Sequence, residues 1–183
     1  MIVAFDASVL VYFFDEQAKA PIDPATHQPV VDCKPRIDYL IASLQREKAK
    51  IIIPTPSLGE VLVKAQGAAP IWLQLLHKSR HFRIVAFDER AAVEYAATQE
   101  NRKAAGEKSP SSTRAKAKFD DQIVAIASVE GATVIYSDDP DIKKLAGTRC
   151  KVIGIADLPL PPQDAQMKLQ LPEPAELPEP DDE

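Results

Sequence analysis

Asp6 closes the apolar run of residues 2–5, a short segment that reads as a buried strand. A carboxylate in that place sits against apolar packing, where an unpaired charge is costly. Taken alone it has two readings: a ligand at the carboxyl end of a first strand, or an N-cap for the next helix with Ser8 helping. Three further acids hold related positions. Glu60 falls in the first turns of a helix that follows a second strand, Asp121 on a helix that precedes a fourth strand, and Asp139 in the loop after that strand. In a parallel sheet the ends of strands one and four share an edge, and ligands of open α/β sheets bind outside that edge. The helix after strand two starts there, and the helix before strand four runs antiparallel to it, so one crevice receives all four carboxylates. Clustered carboxylates repel unless a cation intervenes. Oxygen-only ligands suit magnesium or manganese rather than zinc, and such ions lower the pKa of bound water and stabilise in-line attack at phosphorus. The implied chemistry is phosphodiester hydrolysis. The chain has neither a GxxxxGK[ST] loop nor a GxSxG elbow, which argues against a P-loop nucleotide site and against a serine-hydrolase elbow.

The elements that must position these acids can be read in order. Residues 2–5, 51–53, 82–87, 132–136 and 151–155 are short and rich in β-branched residues, as strands are. Between the first two lies a Pro- and Asp-rich irregular insertion, about 15–34. It is followed by a helix in which Ile37, Leu40, Ile41 and Leu44 repeat with helical period. Helices are expected after Thr55, from Pro70, after the cap Asp88, and over 119–130 up to Gly131. Strands alternating with helices predict a parallel sheet of about five strands covered on both faces, an α/β/α sandwich. The 183 residues carry a net charge of −5, but the distribution is uneven. Residues 158–183 hold seven acids and one base in a Pro-rich stretch that reads as a disordered tail, leaving 21 bases against 20 acids in residues 1–157. The domain is therefore expected over 1–157. Its most basic stretch, residues 102–118, leads into Asp121 and makes Arg114, Lys116 and Lys118 candidates for contact with a phosphate backbone. Cys33 and Cys150 form no motif and read as structural thiols of a reducing, cytoplasmic setting. No apolar run is long enough for a membrane span.

Four segments together, FDASVLVYFF, GEVL, FDDQIVAIAS and GATVIYSDDPDI, resemble the PIN-domain pattern, spaced as in VapC-type toxins of bacterial toxin–antitoxin modules. The resemblance spans roughly residues 1–155. It implies a Rossmann-like fold and a magnesium- or manganese-dependent ribonuclease in which Asp6, Glu60, Asp121 and Asp139 hold the metal. Ser8 and Ser137 would orient these carboxylates, and Asp141 would be a further acid. Asp121 rather than Asp120 is taken as the third ligand, on the register of Ile123, Val124, Ala125 and Ala127. The family also implies an RNA substrate, a cognate antitoxin and a homodimer. The long insertion and acidic tail depart from compact members. They leave open a PIN ribonuclease of RNA processing, or a PIN module that only binds RNA or protein.

Overall fold

The computed structural model describes residues 1–107 and 113–162; the side chain of Arg114 and the stretch read as a tail from 163 onward lie outside the described residues. Five parallel strands form one sheet: β1 (Ile2–Phe5), β2 (Lys50–Pro54), β3 (Phe82–Val85), β4 (Val134–Tyr136) and β5 (Lys151–Ile153), in the order β3-β2-β1-β4-β5. Helices α1 (Ala7–Phe14), α2 (Cys33–Arg46), α3 (Thr55–Ala65), α4 (Ala69–Lys78), α5 (Glu89–Ala104), α6 (Arg114–Val129) and α7 (Pro140–Ala146) connect them. The expected α/β/α sandwich is what forms.

Strand alternation builds the two layers. Val3, Phe5, Ile51 and Ile53 face one core, shared with Val9 and Leu10 of α1, Ile37 and Leu44 of α2 and Val61 of α3. Ala4, Ile52 and Ile135 point to the other face and pack against Ile123, Val124, Ile126 and Ala127 of α6 and Ile142 of α7. β1 lies at the centre, paired with β2 on one side and β4 on the other, so Val3, Ala4 and Phe5 are fully buried. Chain order reverses between β1 and β4, and the crevice at the carboxyl ends of those two strands is the switch point where ligands of such sheets bind. Asp6 and residues 137–139 stand at its two lips.

Three local features depart from the sequence reading. Helix α6, expected over 119–130, starts already at Arg114, because Thr113 Oγ1 accepts the Lys116 N–H at 3.2 Å and caps it. Lys116 and Lys118 are thus helical, and Asp121 lies in mid-helix rather than in an opening turn. The strand expected over 151–155 ends at Ile153 and gives way to a single 3₁₀ turn, Ile155–Asp157. Helix α2 takes in Cys33 and Lys34 from the insertion, whose remaining residues hold one isolated bridge, Ile22 with Pro29. The helix ending at Gly131 does stop there: its φ of +70° is one that glycine adopts without strain. Cys33 and Cys150 are buried thiols, each donating to a backbone carbonyl. No helix of the described residues is long and apolar enough to cross a membrane.

Candidate metal centre

Asp6 is 5% exposed and its carboxylate is held from both oxygens. Oδ2 accepts from Ser8 Oγ at 2.9 Å and from Ser137 Oγ at 2.9 Å, while Oδ1 accepts from Ser57 Oγ at 3.2 Å. The direction of two of these bonds is fixed by the turn after β4. Ser8 Oγ accepts the Asp138 N–H at 3.1 Å, and Ser137 Oγ accepts the Asp139 N–H at 3.0 Å. Each hydroxyl has one proton, and with an N–H already aimed at its oxygen that proton is turned to Asp6. Asp6 also sits at the N-cap of α1, accepting from the Ser8 N–H at 3.5 Å. The cap and the site are one feature, so the two readings of this residue do not compete.

Ser57 is not among the candidate residues of the sequence. It is fully buried, one turn ahead of Glu60 on the same face of α3. A polar residue on the inward face of a helix that begins at the ligand edge was the available signal. Ser57→Ala removes one of three hydroxyl donors from a carboxylate shut off from water. The expected result is a loss of about 1 kcal/mol in urea unfolding.

Asp139 caps α7, its Oδ1 accepting the Asp141 N–H at 2.8 Å. This turn brings Asp139 and Asp141 to one place. The third acid beside them is Asp120, not Asp121: Asp120, Asp139 and Asp141 each offer an oxygen within 4.8 Å of the others. Asp120 is 4% exposed. Glu60, at the exposed rim, has its pKa raised by partial burial first, then by Asp6, with Asp120 and Asp139 adding to the effect and Lys64 opposing it. Asp6, Glu60, Asp120, Asp139 and Asp141 thus form one acidic neighbourhood.

Asp121 is engaged elsewhere. Arg102 of α5 donates to its Oδ1, and Gln99 Nε2 donates to its Oδ2 at 2.7 Å. With side chains 7% and 14% exposed, Asp121 and Arg102 make a nearly dry ion pair that clamps α5 to α6. Successive helical residues point about 100° apart, which is why adjacent aspartates serve two different neighbourhoods.

The lysines expected at an RNA backbone also separate. Lys118 is exposed. Lys116 turns into the acids, with Nζ 2.7 Å from Asp141 Oδ2, 2.8 Å from Asp139 Oδ2 and 3.4 Å from Asp120 Oδ2. Burial works against its charge, yet its hydrogen bonds to Asp139 and Asp141 and the charge of Asp120 outweigh that and push its pKa above the usual lysine range.

Asp138 ties the edge together. Its Oδ1 accepts the Ile155 N–H at 2.8 Å, joining the ends of β4 and β5. A Cβ on Gly154 would lie 2.8 Å from that oxygen, so the close approach requires glycine. Burial first, then Asp6 and Asp157, raise the Asp138 pKa against the effect of the Ile155 bond.

Three carboxylate oxygens within 4.8 Å of one another could together hold a hard divalent cation. The donor set is all oxygen, which favours magnesium or manganese over zinc.

No protein-family model matches the sequence, and no curated protein matches it. Solved structures do. A chain of VapBC2 from Rickettsia felis, bound to a DNA fragment from the promoter, superposes with a TM-score of 0.56 at 14% identity, over 84% of this chain and 98% of that one. A chain of the DNA-bound VapBC of Salmonella typhimurium gives 0.52 at 12% identity, over 85% and 98%. VapC20 of Mycobacterium tuberculosis, a Sarcin-Ricin loop cleaving toxin, gives 0.52 at 16% identity, over 79% and 95%. The chain therefore has the PIN-domain fold of VapC toxins.

Proposed function

We propose that this protein is a metal-dependent endoribonuclease, the toxin of a toxin–antitoxin module. The observation that carries the reading is the convergence of Asp6, Glu60, Asp120, Asp139 and Asp141 at the β1–β4 switch point of a VapC-type fold.

Asp120, Asp139 and Asp141 would hold the cation, with Asp6 and Glu60 completing its surroundings. When bound, magnesium or manganese supplies a water of lowered pKa and neutralises charge on the phosphoryl oxygens. Asp6 cannot turn, because three hydroxyls fix its plane, and this holds the reacting geometry to a narrow range. Glu60 stands at the open rim with a raised pKa, placed to take the proton of the attacking water. Lys118, exposed on α6, and Arg114 are the proposed phosphate contacts. Asp121 keeps α6 in register through Arg102. The cognate antitoxin and a second copy of the chain are the proposed protein partners. The similar VapBC complexes support the former, and the exposed apolar side chains Val63, Ile71 and Leu75 of α3 and α4 offer surface for either.

The test is incubation of a total-RNA pool with the full chain, with and without magnesium, beside the Asp6→Ala variant. Discrete fragments are expected only from wild type with magnesium. Growth arrest on expression, relieved by the same substitution, is expected of a toxin. Growth without arrest, together with cleavage in vitro, would favour a processing ribonuclease, and binding without cleavage would favour a non-catalytic module.

A further inference from the structure

The Asp120–Asp139–Asp141 triad is filled by a side chain of the same protein. An ammonium group has three N–H donors, and Lys116 Nζ lies within 2.7–3.4 Å of one oxygen on each of the three acids. Geometrically it stands where a small cation would stand. Lys116 lies in the first turn of α6 and Asp120 one turn further on, so a single helix delivers both the ligand and its counter-ion. The contact depends on Thr113, whose cap starts the helix early enough to put Lys116 over the site.

Resting on the metal-dependent reading above, we propose that Lys116 is a built-in competitor for the cation: its ammonium group and a divalent ion contend for the same Asp120, Asp139 and Asp141 oxygens, and this contest sets the ion concentration at which the site loads. The two cannot share the centre, because the ion needs the oxygens that the ammonium holds and the positive charges repel. Lys116 has a way out. Its side chain is 39% exposed on a flexible four-carbon stem, so withdrawal moves Nζ into water without disturbing the fold. Where the engaged state outweighs the withdrawn one, apparent affinity for the ion falls by the fraction of molecules that are competent. A ten-to-one preference would weaken it about tenfold. The engaged ammonium cancels one of the three carboxylate charges at low ion concentration, and the site loads over a higher range than it would without Lys116.

Titration of the full chain with Mn²⁺, read as free ion by electron paramagnetic resonance, tests this without reference to cleavage. Lys116→Met is expected to bind Mn²⁺ about tenfold more tightly than wild type. Lys116→Arg, which keeps the charge, and Lys118→Met, on the exposed side of the helix, should stay within about threefold. Asp139→Asn should bind more weakly than all of these. Circular dichroism melting checks that each variant is folded, and Lys116→Gln carries the same test where Lys116→Met does not fold. Equal affinity in wild type and the neutral variants, with binding still lost in Asp139→Asn, overturns the competitor role and leaves the metal site standing. Tightening by Lys116→Arg as large as that by Lys116→Met overturns it too, since charge would then not be the cause. Binding that Asp139→Asn leaves unchanged, or no binding at all, overturns both readings.

Discussion

Asp6→Asn is expected to lower the rate of RNA cleavage by about a thousandfold, the scale of losing one member of a catalytic constellation, in a chain that still folds. The side chain keeps its size, so the core around Val9, Leu10 and Phe5 is undisturbed. What changes is the pattern of donors and acceptors. The carboxylate accepts from Ser8, Ser57 and Ser137. An amide presents one acceptor and one donor group, so at least one of these serines meets an N–H where it needs a lone pair. Ser8 and Ser137 cannot simply reverse, because each already accepts a backbone N–H from the turn carrying Asp138 and Asp139. Asn therefore keeps its oxygen toward Ser8 and Ser137 and turns its NH2 on Ser57, which must reverse, and the charge lost is itself one that the site needs. The expected stability cost is about 1–2 kcal/mol. Urea unfolding and single-turnover cleavage on the same preparation separate the two effects. Cleavage within tenfold of wild type would remove Asp6 from the catalytic set.

The placing of these acids is partly legible in the sequence, and where it is not the reason is physical. Short β-branched runs located all five strands, and alternation with helices is enough to place Asp6, Glu60 and Asp139 at one edge, because topology alone sends those chain positions there. The acid on α6 was a different problem. It depended on the helix's rotation about its axis, and rotation is read from which face is apolar. Ile123, Val124, Ala125, Ile126 and Ala127 are all buried, at 0–3% exposure. A stretch apolar on every side gives no phase, and either aspartate fits the pattern. Asp120 and Asp121 are both buried as well. What separates them is a pair of long-range partners, Arg102 and Gln99 for one and the β4–α7 turn for the other. Ser57 is hidden for a related reason: a serine at a helix start is common, and only the packing of α3 against α1 reveals that it faces Asp6.

The adjacent aspartates should accordingly fail in opposite ways. Asp121→Asn takes the charge from a nearly dry ion pair and leaves the Arg102 guanidinium without its counter-ion. Its Nε is already buried and has no hydrogen-bond partner among the described residues. Breaking one side of such a pair costs about 3 kcal/mol. That loss should appear as a lower urea midpoint with an unchanged slope, while cleavage per folded molecule stays within about threefold of wild type, a near-neutral change in transition-state stabilisation. Asp120→Asn should do the reverse. It removes one of three mutually repelling carboxylates and one of the three oxygens around Lys116, effects of opposite sign, so stability should move by less than about 1 kcal/mol. Cleavage should fall at least a hundredfold, since a cation ligand is gone. Combining Asp121→Asn with Arg102→Met should recover part of the stability lost by the first alone, because the guanidinium that lacked its partner is then gone as well. A stable but inactive Asp121→Asn, beside an active Asp120→Asn, would reverse the assignment and turn α6 by one residue relative to the site.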